Sequence, residues 1–152
     1  MHKIVGRLQM IVDTGNCQLI MKCGGEIMEL VEILKVLGDE NRIRILNLLK
    51  DGDLCVCEME GILELNQSNV SRHLTRLSSA KLIKSYKKAQ FVYYKINDET
   101  ISNYEFIREI LKNEMNKIEE CKQDSKMLVL FKESNINCEN IECGKSILAS
   151  KK

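Results

Sequence analysis

Apolar side chains recur every three or four residues through much of the first half of the chain, which is the spacing of one face of an α-helix. The first predicted helix runs from Glu26 to Leu37, and a second follows, capped by Asp39. A third is predicted from about Val56 to Leu65, and a fourth, capped by Asn66, from Gln67 to about Ser78. The third and fourth helices, joined by a short turn, have the arrangement of a helix-turn-helix.

The fourth predicted helix has one apolar face and one polar face. Val70, Leu74 and Leu77 form the stripe that faces the core, which leaves the opposite face for solvent or DNA. We expect the polar residues of this helix to contact DNA: Gln67, Ser68, Asn69, Ser71, Arg72 and His73.

Beyond Lys81 the apolar period changes from that of a helix to that of a strand. Leu82 to Tyr86 and Gln90 to Ile96 are the two predicted strands, joined by the basic turn Lys87-Lys88-Ala89. A basic hairpin in this position is called a wing, and we expect it to reach phosphates or a minor groove.

A long amphipathic helix is predicted from Asp98 onward. A small domain can cover only part of its apolar stripe, so we expect the remainder to pair with a second copy, since symmetric dimers are the commonest oligomers. The alternative is that the stripe completes the core of a single chain. The expected dimer contacts are Ile101, Tyr104, Ile107 and Leu111.

The composition is typical of one mainly α domain with a small β-hairpin. The chain has 152 residues, of which 30% are charged and few are aromatic, so one hydrophobic core is expected. We expect an N-terminal extension at 1–25, a DNA-binding and dimerisation domain at 26–120, and a cysteine-containing tail at 121–152.

Basic charge is concentrated in one part of the chain. Although the net charge is +1, the segment from Asn66 to Ile96 contains seven basic and no acidic residues. A run of like charge is often only a solvated face, but this one coincides with a helix, a turn and a hairpin, as expected for a surface that binds duplex DNA. Arg76, Lys87 and Lys88 are the predicted phosphate contacts, while the polar face of the fourth helix is predicted to read bases.

The seven cysteines have scattered spacings, and residues 1–20 do not have the pattern of a cleavable signal. No apolar run approaches the ~20 residues that a membrane-spanning helix needs. We therefore expect a cytoplasmic protein with free thiols and no membrane partner.

Two cysteines, Cys55 and Cys57, lie at the predicted start of the third helix. Cys55 and Glu58 have the spacing of a capping box, in which Ser or Thr normally occupies the first position because a thiol caps poorly. Burial as a small apolar side chain is one explanation for such thiols. Binding of a soft metal or metalloid is the explanation that the capping position favours.

Residues two apart point to different sides of a regular helix. Chelation by Cys55 and Cys57 is therefore expected to distort the first turn of the third helix and to misplace the fourth.

Four segments together resemble the ArsR/SmtB family of metal-responsive winged-helix repressors over residues 28–120. The Cys-Val-Cys sequence resembles the arsenite-sensing branch of that family. This resemblance implies a homodimer that binds an inverted-repeat operator and releases it when As(III) or Sb(III) binds. The segments are Leu37–Leu46, Asp53–Glu58, Gln67–Leu74 and Phe91–Ile96.

A third sulfur ligand is not evident next to this pair, because Glu60 stands where many arsenite sensors carry a cysteine. An external thiol is one source, and Cys138 and Cys143 of the polar tail are another. Cys17 and Cys23 are a third source, and such an N-terminal pair resembles the Cd(II)- and Pb(II)-sensing branch, which uses four sulfurs. Cys121, at the end of the long helix, is expected to be inert.

No enzyme is predicted, because no nucleophile, base and orienting acid form a recognisable set. Gly144-Lys145-Ser146 lacks the earlier glycine of a phosphate-binding loop. With His2 and His73 alone, a histidine-rich zinc site cannot be assembled. Besides the metalloid repressor, a Cd(II)- or Pb(II)-responsive repressor and a thiol-redox-sensing winged-helix regulator remain open.

Overall fold

The computed structural model describes the backbone of residues 21–134 and the side chains from residue 27 onward. This part of the chain is mainly helical, with a small antiparallel sheet, and the predicted winged helix-turn-helix is confirmed. The elements are α1 (Met21–Leu37), α2 (Glu40–Leu49), β1 (Leu54–Cys55), α3 (Val56–Leu63), α4 (Gln67–Ser79), β2 (Ile83–Lys88), β3 (Phe91–Ile96), α5 (Asp98–Asn103), α6 (Glu105–Glu109), a π-helical turn (Ile110–Glu114), a 3-10 turn (Met115–Lys117) and α7 (Glu119–Glu133).

The predicted helix caps are confirmed at α2 and α4. The Asp39 carboxylate accepts a hydrogen bond from the backbone N–H of Arg42 at 3.1 Å, and the Asn66 side chain accepts one from Asn69 at 2.9 Å. Helix α3 ends two residues earlier than predicted, because Glu64 adopts a left-handed conformation with a φ of 55°.

The sheet has three strands in the order β1-β3-β2, all antiparallel. Strand β1 was not predicted, because two residues are too few to show an alternating pattern; it pairs Cys55 with Tyr93. The position of the basic pair also differs from the prediction. Lys87 and Lys88 lie in β2 rather than in the turn, and the hairpin reverses at Ala89, which has a φ of 54°.

The long helix predicted from Asp98 is broken into several pieces. The backbone is extended at Tyr104 and again at Ile118, so the chain changes direction twice before α7. These breaks allow Ile107 and Leu111 to be buried in the same core as α2 and α4. The stripe therefore completes the core of one chain, the alternative that its sequence pattern left open.

Helix α7 occupies residues 119–133, most of which the sequence pattern assigned to the start of the tail. It packs against α2 and α3. The Arg44 guanidinium donates two hydrogen bonds of 2.8 Å to the Asp124 carboxylate, and the Asn47 amide donates to the Cys121 carbonyl at 2.9 Å. Helix α7 is therefore an integral part of the domain.

The core lies between α2, α3 and α4 and is closed on one side by the segments that follow β3. Its most deeply buried side chains include Leu48, Met59, Leu74, Leu77 and Ile107, together with Ile33 of α1 and Phe131 of α7. Within residues 21–134, no helix combines the length and the apolar character that crossing a bilayer requires.

Candidate nucleic-acid interface and thiol site

The outer face of α4 presents polar side chains to solvent, because Val70, Leu74 and Leu77 are buried on its inner face. Arg72 donates a hydrogen bond to the Asn69 side chain at 3.1 Å, so these two side chains hold each other in place across one helical turn. The outer face has the chemistry needed to contact bases and phosphates in a major groove. The exposed or half-exposed residues of this face are Gln67, Ser68, Asn69, Ser71, Arg72 and Arg76.

His73 does not lie on this outer face, which corrects the expectation that it contacts DNA. It is 5% exposed, because it lies between Val70 and Leu77 on the inner stripe. Its Nδ1 atom is 3.5 Å from the Asp39 carboxylate at the N-terminus of α2. Burial lowers the pKa of His73, although the negative charge of Asp39 opposes this effect.

The wing carries an exposed basic edge supported by stacked rings. Tyr86 and Tyr93 stack with centroids 5.9 Å apart and an interplanar angle of 20°. The Lys88 ammonium lies 6.0 Å from the Tyr93 ring, and that of Lys95 lies 5.7 Å from the Tyr86 ring. Lys87 and Lys88 are both exposed, as a phosphate contact requires.

Cys55 belongs to two elements, since it is the last residue of β1 and the residue that precedes α3. Its side chain is 2% exposed, whereas that of Cys57 in the first turn of α3 is half-buried. Both cysteines are disulfide-bonded in this structure, so the expectation of free thiols is wrong for them. Cys121, in contrast, is free and buried.

The capping frame that the sequence indicated is present at the start of α3. The Glu58 carboxylate accepts a hydrogen bond from the backbone N–H of Cys55 at 2.7 Å. Burial raises the pKa of Glu58, and this hydrogen bond opposes the increase. The first turn of α3 is thus stabilised by Glu58.

A link between the thiols and the wing could not be predicted from the sequence pattern. The Tyr86 hydroxyl, on β2, donates a hydrogen bond of 2.7 Å to the carboxylate of Asp53, which directly precedes β1. This bond raises the pKa of Tyr86. Asp53 and Tyr86 are far apart along the chain, and only the β1 pairing that the pattern missed would have placed them together.

Glu60 occupies the place of the third cysteine of many arsenite sensors. It is 9% exposed, and among the described residues no donor reaches its Oε2 atom. Residues 27–134 also contain no group of three His, Cys, Asp or Glu side chains close enough to hold a metal ion. Any further ligand has to come from elsewhere.

The remaining candidate ligands are four cysteines near the chain ends. Cys17, Cys138 and Cys143 lie outside the described residues, and Cys23 lies in the first turn of α1, where the structure describes the backbone alone. Cys121 is separate from these. Burial raises the pKa of its thiol, and its inertness stays a prediction.

Comparison with known proteins identifies the family. The family model described as "Bacterial regulatory protein, arsR family" matches residues 39–85. The arsenical resistance operon repressor of Staphylococcus aureus is 34% identical over 83 residues, which are 52% of this chain and 80% of that protein. The chain belongs to the ArsR family. The resemblance deduced from the four sequence segments is thereby confirmed.

Other relatives of this ArsR-family chain include regulators of two kinds of resistance. The arsenic resistance transcriptional regulator ArsR1 of Pseudomonas putida is 39% identical over 80 residues, 50% of this chain and 62% of that protein. The cadmium resistance transcriptional regulatory protein CadC homolog of Staphylococcus aureus is 33% identical over 75 residues, 49% of this chain and 62% of that protein. The chain thus spans about three fifths of the length of these two relatives.

A solved structure, reduced HlyU from Vibrio cholerae, has the same fold. It is 31% identical, has a TM-score of 0.50, and covers 60% of this chain and 96% of its own. The relatives named as resistance regulators are transcriptional regulators rather than enzymes. The fold, too, is that of DNA-binding regulators.

Proposed function

We propose that this chain is a transcriptional repressor that binds an inverted-repeat operator as a homodimer in the cytoplasm and releases it when As(III) or Sb(III) binds Cys55 and Cys57. One observation carries the proposal: Cys55 belongs both to the strand that pairs with the wing and to the start of the helix that packs on α4. The arsenic resistance regulators among the relatives support the choice of inducer.

Two structural routes connect the thiols with the proposed DNA-binding surfaces. Helix α3 packs against α4, so a change in the first turn of α3 shifts the helix that reads bases. Strand β1 pairs with β3, and the Asp53–Tyr86 hydrogen bond ties the same strand to β2. A change at Cys55 therefore acts on both elements.

The backbone at the two cysteines has to change when their sulfurs hold one small ion. Cys55 is extended, with φ −87° and ψ 170°, whereas Cys57 is helical. Because residues two apart do not share a face of a regular helix, two sulfurs that hold one small ion do not fit an undistorted first turn of α3. Bringing the thiolates together therefore costs either the β1–β3 pairing or the first turn of α3. A coupling of about 1–3 kcal/mol would weaken DNA binding roughly 5- to 150-fold.

The chemistry of the site suits a soft inducer. Thiolates bind soft metals and metalloids, whereas magnesium and calcium prefer oxygen ligands. The N-terminus of a helix favours negative charge, and hence the thiolate form that coordinates. The sulfur donors of Cys55 and Cys57 suit such an inducer. The protein holds these sulfurs at a position where their movement alters α3.

The proposed homodimer requires an apolar surface that a second copy can cover. Ile101, Ile107 and Leu111 are buried within one chain and cannot supply it without rearrangement, and Tyr104 is half-buried against the same core. Helix α1 supplies such a surface instead. Its exposed apolar stripe consists of Ile27, Met28, Val31 and Leu34.

A thiol-redox-sensing regulator is the second candidate, favoured by the disulfide-bonded state of Cys55 and Cys57. In that case an oxidant such as peroxide would accept two electrons as two thiolates form a disulfide. A Cd(II)- or Pb(II)-responsive repressor is the other candidate, supported by the cadmium resistance regulator among the relatives.

A DNA-binding titration separates these candidates. The duplex would be one that the reduced protein itself enriches from a random library, and the additives would be arsenite, antimonite, cadmium, lead, zinc and peroxide. We expect arsenite and antimonite to release the duplex at the lowest concentrations. Release by peroxide alone would instead establish redox sensing, and release by cadmium or lead at far lower concentrations than arsenite would establish the metal-responsive alternative.

A further inference from the structure

We propose that a cleft beside the loop 51–53 binds a small organic carboxylate with an apolar body, and that its occupancy weakens DNA binding through the wing. The cleft has a volume of about 700 Å³, and small-molecule sites typically have about 300–1,000 Å³. Its walls come from the end of α2, this loop, the end of β3 and the segments from α5 to α7. The described residues that line it include neither Cys55 and Cys57 nor any residue of α4. The cleft is therefore separate from the proposed inducer site and from the outer face of α4.

Part of the cleft lining is apolar. Leu49, Ile101 and Leu111 line it, and each of them belongs to the hydrophobic core. A ligand with an apolar body covers this surface and removes it from water, which favours binding. Apolar surface combined with a few charged groups is the usual composition of a small-molecule site.

The charged part of the lining contains four basic side chains, which are Lys50, Lys95, Arg108 and Lys112. Within residues 27–134, none of the four has a carboxylate oxygen within 4.0 Å. The Lys50 ammonium instead donates a hydrogen bond to the neutral side chain of Asn116 at 2.8 Å, and the Arg108 guanidinium reaches the Ser102 carbonyl at 3.5 Å. Lys50 and Arg108 are half-buried, and a partly desolvated charge is stabilised by a bound counter-ion.

Arg108 and Lys112 are the best placed of these groups to hold a carboxylate. A guanidinium presents a planar fork of N–H donors that matches the two oxygens of a carboxylate, and an ammonium adds a point charge. Arg108 has donors beyond the one that reaches Ser102. Lys112 follows Arg108 by four residues and lies in the π-helical turn, a rare local structure that is often found at functional sites. We therefore expect the carboxylate of the ligand beside these two side chains.

Three carboxylates, those of Asp51, Asp53 and Asp98, also line the cleft. All three residues are exposed, whereas Lys50 and Arg108 are half-buried. Water and salt screen the repulsion from exposed charges more strongly than they screen the attraction of partly buried ones. The basic side chains also outnumber the acidic ones, so the lining favours an anion.

Two contacts of Tyr86 on the wing come from residues that line the cleft. The Asp53 carboxylate accepts the hydrogen bond of the Tyr86 hydroxyl at 2.7 Å, and the Lys95 ammonium lies 5.7 Å from the centre of the Tyr86 ring. An anion in the cleft repels Asp53 and attracts Lys95, so it weakens both contacts. The wing carries the predicted phosphate contacts Lys87 and Lys88, and loosening it is expected to weaken DNA binding.

Isothermal titration calorimetry of the full reduced chain without DNA tests the site. The probes are benzoate and octanoate, with benzamide as the uncharged analogue of benzoate and inorganic phosphate as an anion without an apolar body. The cleft variant is Arg108→Gln with Lys112→Gln. The matched control is Lys117→Gln with Lys122→Gln, which removes two exposed basic side chains that do not line the cleft.

We expect both carboxylates to bind the wild type and the control with a dissociation constant of about 1 mM or below, and the cleft variant to lose at least about tenfold in affinity. Benzamide and phosphate should bind at least about tenfold more weakly than benzoate. Absence of carboxylate binding, equal binding by the cleft variant, or equal binding of benzamide or phosphate would each overturn the proposal.

Amide chemical shifts of the wild type locate the probe without any substitution, so this measurement does not depend on the folding of a variant. With benzoate, the largest changes are expected at Gly52, Ile101 and Lys112. Largest changes along α1 or on the outer face of α4 would show that benzoate binds elsewhere, and would overturn the assignment of the cleft.

The effect on DNA is measured by fluorescence anisotropy of a labelled duplex that the protein prefers, at saturating sodium benzoate. Sodium chloride at the same concentration is the control for ionic strength. The dissociation constant of the wild type for DNA should rise about fivefold or more. Tyr86→Phe, which removes the hydroxyl that binds Asp53, should show a smaller rise. An unchanged constant in the wild type, or the same rise in Tyr86→Phe, would overturn the link to the wing.

Discussion

His73 connects the proposed recognition helix with the start of α2, since its buried ring lies 3.5 Å from Asp39. Burial lowers its pKa, so the unfolded chain binds a proton more readily than the folded one. The contribution of His73 to stability is therefore fully present above about pH 6.5 and is lost as the pH falls below it.

We predict that His73→Gln will reduce the loss of unfolding free energy between about pH 7.5 and 5.5. Urea unfolding of both proteins at several pH values would measure this difference. Glu58, whose raised pKa acts with the opposite sign, is common to both proteins. The same pH dependence in both would contradict the assignment.

Arg72 and Lys88 represent two different kinds of DNA contact. Arg72 is exposed on α4 and is oriented by Asn69, so Arg72→Ala should cost about 1–3 kcal/mol and relax the preference at one base pair. Lys88→Ala, on the wing, should weaken binding to all sequences and reduce the slope of its salt dependence by about 1. Affinity on preferred and random duplexes across salt concentrations would check both, and equal losses on every duplex for the two variants would refute the distinction.

At the scale of the elements, a salt bridge between Asp124 of α7 and Arg44 of α2 holds these two helices together. The Asp124 side chain is 4% exposed and that of Arg44 is 19% exposed. Removing one member of such a pair leaves the charge of the other largely buried and uncompensated. Asp124→Asn should therefore lower the unfolding free energy by about 3 kcal/mol. Urea unfolding would measure this value. The double variant Arg44→Met, Asp124→Leu serves as the control and should lose much less. An equal loss in both variants would show that the pairing itself is unimportant.

The elements also show what the sequence pattern could and could not predict. The caps of α2 and α4 were predicted correctly, and the bounds of both wing strands were predicted to within two residues. Strand β1 was missed, because its two residues are defined by their partners Tyr94 and Tyr93 on β3 rather than by their own pattern. The breaks at Tyr104 and Ile118 were missed because no glycine or proline marks them.

At the site, residue types were more informative than orientations. The pair Cys55 and Cys57 and the polar face of α4 could be selected from spacing alone. His73 was placed on the wrong face, because the apolar stripe of Val70, Leu74 and Leu77 does not by itself show that a polar residue beside Leu74 is buried too. The link from Asp53 to Tyr86 depends on tertiary structure, which local periodicity does not contain.

At the scale of the whole molecule, dimerisation is expected to use the exposed stripe of α1. Val31→Glu with Leu34→Glu places two charges on that stripe and should convert dimers to monomers. Lys35→Glu, on an exposed neighbouring position, is the control and should leave the dimer intact. Sedimentation equilibrium would distinguish the two, and a dimer that persists in the double variant would place the interface elsewhere.

The central claim is that Cys55 and Cys57 form the site through which an inducer releases DNA. It is tested most directly by fluorescence anisotropy of a labelled preferred duplex bound to reduced protein, titrated with arsenite. The wild type should release the duplex, with its DNA dissociation constant rising roughly 5- to 150-fold. The Cys55→Ser, Cys57→Ser variant should remain bound at the same arsenite concentrations, and release by that variant with the wild-type dependence would contradict the account.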